Sequence, residues 1–174
     1  KGTTKDARFG NPTPRIAECE MGLLNAVGLQ NPGIEAVLKE ELPALAAVYG
    51  GVKIANISGF SKEEYVYTAS EFDQKSDVDI LEINISCPNV QHGGMAFGTD
   101  CTQAAAICAA VKAACRKPVY MKLSPNVTDI GAIAAACEEA GADGIVLINT
   151  LLGMVIDPRT GKPVVHTKMA GFSG

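Results

Sequence analysis

Histidine is scarce in this sequence: His92 and His166 are the only two, and no CxxC pair occurs. A zinc site therefore has almost nothing to be built from. Tryptophan is absent as well, which excludes nothing. Long like-charge blocks are missing, because 15 Lys and Arg stand against 19 Asp and Glu and the net charge of -4 is spread along the chain. That distribution gives neither a nucleic-acid footprint nor a basic membrane-binding patch. No uninterrupted apolar run reaches the roughly 20 residues of a membrane span, and no charged-then-apolar leader opens the chain. A cytoplasmic protein with no nucleic acid or membrane as partner is the expectation.

What is present is apolar material enough for one domain with a core: 174 residues, 47% of them hydrophobic, at a mean hydropathy of +0.15. Of six cysteines, Cys101, Cys108 and Cys115 recur every seven residues in an Ala-rich segment. This places them on one helix face as small buried hydrophobes, and free thiols are expected. From residue 31 two patterns alternate. "NPGIEAVLKEELPALAAVYG" reads as helix until Pro43 and Gly50, "VKIANIS" as strand, and "SKEEYVYTASEFDQ" as a helix opened by a capping box from Ser61 to Glu64. "DILEINIS", "PVYMKLS" and "DGIVLINT" read as strands, with helices over "DCTQAAAICAAVKAAC" and "DIGAIAAACEEAG" between them. Strands separated by helices of this length imply βα units and a parallel sheet.

Polar residues gather at the C-terminal ends of these strands: Asn56, Asn84 with Ser86, Lys122 with Ser124, and Asn149 with Thr150. A TIM (β/α)8 barrel builds its site from several such ends, whereas a Rossmann sheet concentrates its signature in one glycine-rich first turn, and no GxGxxG follows any strand here. The expected fold class is therefore α/β, a barrel present only as a central portion of about strands 2 to 6. Four strands are clear, the tail of another precedes "KGTTKDARFGNPTPR", and the last strand is followed by a loop, "GMVIDPRTGKPVVHTKMAGFSG".

Lys122 alternates with Val119, Met121 and Leu123, so it shares a face with Tyr120 rather than with the helix-packed side. A buried ammonium needs an anion or an electron-rich acceptor. An ion pair with Glu82 is the plain alternative; the company of Asn56, Asn84 and Asn149 favours function. Several amides converging at one rim suit a planar ligand edged with carbonyls and ring NH groups, such as a pyrimidine or a flavin, whereas a single Asn usually caps its own loop. Cys87 lies between Ser86 and Pro88 at a strand end, where a thiol acts as base or nucleophile if neighbours lower its pKa and is otherwise inert. The paired Gly93 and Gly94 allow the following loop to fold over a site. His92 in that loop reads equally well as a solvated residue.

The stretches "KGTT", "RFGNPTPR", "NAVGLQNPG", "IANISG", "EINISCPNV", "GGMAFGTD", "VYMKLSPNV", "GADGIVLINT" and "DPRTGKPV" together span nearly the whole chain. With them the chain resembles the class 1 dihydroorotate dehydrogenases, flavin barrels of pyrimidine biosynthesis. Its "CPNV" and "GGMAFGTD" form is similar to the two-subunit subclass, which passes electrons to NAD through a partner subunit carrying FAD and a 2Fe-2S cluster. The resemblance implies a single FMN-binding domain over 1–174, truncated at both ends, in a homodimer joined to the electron-transfer subunit as a heterotetramer. It implies Cys87 as the base that takes the C5 proton of dihydroorotate while the C6 hydride goes to N5 of FMN. Lys1 would lie by substrate and flavin, Asn25, Ala26, Val27, Gly28 and Leu29 would bind the edge of orotate, and Asn89 would add a further substrate amide. Asn56 would touch FMN, Asn84 would sit between flavin and substrate, and Lys122 would meet the flavin N1 and C2 carbonyl region. Ile148 would pack on FMN, Asn149 and Thr150 would hold substrate, and Gly174 would lie near the flavin. The family's main phosphate-binding glycines belong to strands beyond "GFSG", so residues 1–174 alone are expected to show no flavin absorbance and no turnover. A dihydropyrimidine dehydrogenase-like flavin enzyme and an inactive barrel serving only in assembly are the alternatives.

Overall fold

A computed structural model of the protein, describing residues 2–86 and 97–174, begins with an isolated pairing. Thr3 bridges in parallel to Ile57, donating its N–H to the Asn56 carbonyl at 2.8 Å and accepting from Ser58 N–H at 2.9 Å. This single bridge lies inside "KGTT" rather than before it. The next two elements were not anticipated. β1 (Ile16–Cys19) and β2 (Gly22–Asn25) form an antiparallel hairpin.

The helical stretch over residues 34–48 has three parts: α1 (Ile34–Ala36), a π-helical turn (Val37–Glu41) and α2 (Leu42–Val48). The expected stop at Pro43 does not occur. Leu42 donates five residues back, to Val37, and the widened turn is followed at once by Pro43, which has no N–H to satisfy. β3 (Ile54–Ile57) follows, then α3 (Lys62–Asp73). Ser61 Oγ accepts from Glu64 N–H at 3.2 Å, as the capping box requires, but the Glu64 carboxylate accepts from Phe60 N–H at 2.8 Å instead of reaching Ser61 N–H.

β4 (Ile80–Asn84), α4 (Cys101–Ala114), β5 (Val119–Lys122), α5 (Ile130–Glu139) and β6 (Gly144–Val146) complete the alternation. Asp100 and Asp129 cap α4 and α5 by accepting from the N–H groups of Gln103 and Ala132. β3, β4, β5 and β6 pair in parallel in chain order, with Ala55 opposite Leu81, Leu81 opposite Val119 and Met121 opposite Ile145. The fold is thus mixed α/β with a parallel sheet, as expected.

Residues 151–174 are not simply a loop. β7 (Leu151–Gly153) and β10 (Ala170–Ser173) extend the β1–β2 hairpin into a four-stranded antiparallel sheet, and β8 (Ile156–Asp157) pairs with β9 (Lys162–Pro163). Such three- and four-residue strands, joined across more than a hundred residues of chain, have too little alternation to be read as strands from sequence.

The main core lies where α3, α4 and α5 cover one face of the parallel sheet, burying Ile57, Leu81, Ile83, Val119 and Met121 with Tyr65, Ile107 and Cys137. A second, smaller core of Leu24, Ala26, Val165 and Ala170 joins the antiparallel sheet to the C-terminal segment. Three aspartates tie together the loops that feed the strands. Asp73 accepts from the N–H groups of Arg116 and Lys117, Asp79 from Lys53 N–H, and Asp143 from Val119 N–H and the Lys112 ammonium. No helix among the described residues is long and apolar enough to cross a membrane.

Candidate functional site

Side chains alternate along a strand, so the stretch of β4 that buries Leu81 and Ile83 turns Glu82 and Asn84 the other way. β3 contributes Asn56 to that second face and β5 contributes Tyr120 and Lys122. Among the described residues, no helix covers these side chains as α3, α4 and α5 cover the opposite face.

Two hydrogen-bonded groups form there. Asn56 and Glu82 face each other in register, and Asn56 Nδ2 donates to Glu82 Oε1 in a short hydrogen bond. The same oxygen lies 3.6 Å from Lys122 Nζ, at side-chain exposures of 15% for Glu82 and 26% for Lys122. The ion pair weighed as the alternative for Lys122 is therefore present, and it shares its carboxylate with Asn56.

The second group centres on Ser86. Asn84 Oδ1 accepts from Ser86 N–H at 3.3 Å, from Ser86 Oγ at 3.0 Å and from Asn149 Nδ2 at 3.3 Å. Asn149 Nδ2 also donates to the Ser86 carbonyl at 3.2 Å and to Ser86 Oγ at 3.0 Å. Asn149 Oδ1 accepts from Thr150 N–H at 2.8 Å, while Tyr65 OH, from α3, holds the Asn84 carbonyl at 2.8 Å. Asn126 braces the outer side, donating to the Thr150 carbonyl at 3.0 Å and accepting from Leu152 N–H at 2.8 Å. Asn84 and Lys122 are register partners, so the two groups adjoin.

The bonds already made fix what the face can offer. With Asn84 Oδ1 taken three times, its NH2 has no acceptor among the described residues. Lys122 has donors beyond the one its carboxylate pair can occupy. A Cβ at Gly2 would stand 3.0 Å from Asn56 Oδ1 and 2.9 Å from Ser58 Oγ, and that buried hydroxyl has no hydrogen-bond partner among the described residues. Donors from Asn84 and Lys122 beside the Asn56 amide oxygen fit the edge of a flat heterocycle bearing ring carbonyls and NH groups.

Of the remaining expected residues, the 25–29 segment and Thr150 border this face, whereas Gly174 lies at the far end of β10. Asn25 ends β2, paired with Ile16 and Gly171. Ala26 donates to the Arg15 carbonyl at 2.7 Å, and Asn11 holds the carbonyls of Ala26 and Val27, each at 3.0 Å. Gly28 has φ +74° and is pressed against Asn11, so only glycine fits there. The Leu29 side chain reaches Gly2, beside Asn56, while Gly171 abuts Thr150 Oγ1 with no room for a Cβ. Those two glycines bring the 25–29 segment against the Asn56 and Thr150 ends of the rim. Ile148 is half exposed between β6 and Asn149. Gly174 lies past the end of β10, bordered by the Met21 carbonyl and the Phe172 ring at the turn of the β1–β2 hairpin. Lys1, Cys87, Asn89, His92, Gly93 and Gly94 lie outside the described residues.

The sequence reading did not single out Asn126 or Gly171, and it gave Ser86 no role beyond its place at a strand end. The position of Ser86 was the available signal; for Gly171 there was none. Among the described residues no group of three or more His, Cys, Asp or Glu is placed to hold a metal ion. The described cysteines are free, and burial pushes the thiols of Cys108 and Cys115 up and that of Cys137 up to about 12. None of these three can serve as a base near neutral pH. A cavity of about 310 Å³ between α2 and β3, lined by Val37, Leu42, Ile54, Glu41 and Lys53, meets the rim at Thr3 and Asn56.

The family described as "Dihydroorotate dehydrogenase" matches residues 1–174. A Fusobacterium nucleatum protein named "Dihydroorotate dehydrogenase B (NAD(+)), catalytic subunit" is 52% identical over 174 residues, which are 100% of this chain and 57% of that protein. Proteins of the same name from Anoxybacillus flavithermus and Geobacillus kaustophilus are each 56% identical over the whole of this chain and 55% of their own length. The chain thus spans a little over half the length of the curated relatives it matches.

Proposed function

The chain belongs to the dihydroorotate dehydrogenase family, and from that premise we propose that it is a portion of the FMN-binding barrel of an enzyme oxidising dihydroorotate to orotate in pyrimidine biosynthesis. The observation that carries the proposal is the convergence of Asn56, Asn84, Lys122 and Asn149 on one face, where Asn84 and Lys122 keep donors that are unused among the described residues. Asn56, Lys122, Ile148 and Gly174 would hold FMN, with Lys1 and Asn84 between flavin and substrate. FMN, when bound, supplies the two-electron acceptor that takes the C6 hydride at N5. The chain's own residues do the rest.

Asn25, Ala26, Val27, Gly28 and Leu29 bind one edge of the substrate, and Asn89, Asn149 and Thr150 bind the other. The Asn149 amide, tied to Ser86 and Asn84, arrives at the substrate already oriented. Cys87, as thiolate, removes the proton at C5. Lys122 sets positive charge beside the flavin N1 and C2 carbonyl region, where negative charge develops on reduction. The relatives' name, which specifies a catalytic subunit and NAD(+), supports an assembly in which electrons continue to NAD. Two copies of this chain would combine with partner subunits carrying FAD and 2Fe-2S, in the cytoplasm.

Cys87→Ser tests the reading directly. A hydroxyl has a far higher pKa than a thiol, so turnover of dihydroorotate near neutral pH should collapse and return partly in alkali. Unchanged turnover would move the base elsewhere.

A further inference from the structure

Glu82 is an acid placed on a face otherwise suited to binding, where it meets both Asn56 and Lys122 and has no part in the functional reading above. We propose that Glu82 is the positioning residue of this site: one carboxylate oxygen sets the direction of the Asn56 amide and the place of the Lys122 ammonium, and its charge holds down the reduction potential of the bound flavin. The inference rests on the functional reading above.

The geometry supplies both halves. Glu82 Oε1 accepts from Asn56 Nδ2, so a flipped Asn56 amide would set its Oδ1 against a carboxylate, acceptor against acceptor. The observed orientation leaves Asn56 Oδ1 on the side of Gly2. Among the described residues Glu82 is the carboxylate paired with Lys122, at 3.6 Å, and register explains the reach. Glu82 stands opposite Asn56 on one side and Tyr120 on the other, while Lys122 is two residues beyond Tyr120 on the same face. A carboxylate this close offsets most of the ammonium's field, and in a partly buried site that field is screened less than in water. Negative charge arriving on a ligand next to Lys122 therefore meets a near-neutral pair rather than a free cation.

The test uses the whole protein with flavin bound, and the readout is the flavin reduction potential from a spectroscopic redox titration, not turnover. Glu82→Gln keeps an oxygen for Asn56 and removes the charge, and should shift the potential to more positive values. Glu82→Asp keeps the charge and should stay near the unmutated value. Equal shifts in both variants, or none in either, would overturn the assignment while leaving the functional reading intact. Should Glu82→Gln fail to hold flavin, Lys122→Met provides the second measurement. Removing the ammonium that Glu82 places should drive the potential negative, and an unmoved potential there also overturns the proposal. Unmutated whole protein that binds no flavin would overturn the functional reading and this inference with it.

Discussion

The two faces of the parallel sheet are made from alternate residues of the same strands, β3, β4 and β5, yet they hold different things. One carries Ile57, Leu81, Ile83, Val119 and Met121, all buried under helices. The other carries Asn56, Glu82, Asn84 and Lys122, joined by hydrogen bonds and an ion pair and left partly open. Neighbouring residues such as Met121 and Lys122 therefore belong to different problems, packing in one case and recognition in the other. The period of two in a strand is what permits a site to be changed without dismantling the fold beneath it.

The sharpest way to break this division is on the covered face. Met121→Ala should cost about 2–5 kcal/mol through lost burial and a cavity, read from the shift of a urea unfolding midpoint. The adjacent Lys122→Met should change stability by less than about 1 kcal/mol, because it removes a partly solvated ion pair. Comparable losses from both would mean that the open face also serves as core. Ser86→Ala lies between the two cases. It removes the hydroxyl that donates to Asn84 and accepts from Asn149, and about 1–2 kcal/mol of stability should go with it. The Asn149 side-chain amide resonances in NMR spectra should shift as well.

Acid tests the loops at the opposite end of the strands. Burial pushes the Asp73 carboxyl up, but the backbone N–H groups of Lys117 and Arg116 and the Arg116 charge outweigh it and hold the carboxyl below its ordinary range. For Asp143 the Lys112 ammonium, followed by Val119 N–H, does the same. Both contributions are complete above the unfolded value of about 3.9 and are lost as pH falls through and below it. Thermal melts from pH 7 to pH 3 should show the decline, and Asp73→Asn should flatten it. The smallest effect concerns thiols. In the native protein near pH 8, Cys137 and Cys108 should resist alkylation while Cys19 reacts, as mass spectrometry of labelled peptides would register.

The parallel sheet was legible because β4 and β5 are short apolar runs in which Glu82, Asn84 and Lys122 fall on one face, bounded by helices with Asp100 and Asp129 at their caps. Their order and the facing of Lys122 followed from that pattern. The antiparallel sheet was not legible, since Gly171 meets Asn25 and Leu152 through strands too short to carry a period. Pro43 misled for a related reason: a π turn changes which residue needs an N–H donor, and nothing in the local composition announces it. Within the site, the gathering of amides could be read from strand ends. The Lys122–Glu82 pair could be read as well, from alternation along β4 and β5; the wiring through Ser86 and the bond from Asn56 to Glu82 could not, because which of several nearby oxygens an amide chooses depends on register and rotamer rather than on residue type.

The central claim is that the uncovered face holds the flavin. Equilibrium titration of FMN into flavin-stripped whole protein, unmutated and carrying Lys122→Met, tests it most directly. Loss of a charge-assisted contact should raise Kd about tenfold or more, with the melting temperature nearly unchanged. An unaltered Kd would contradict the account.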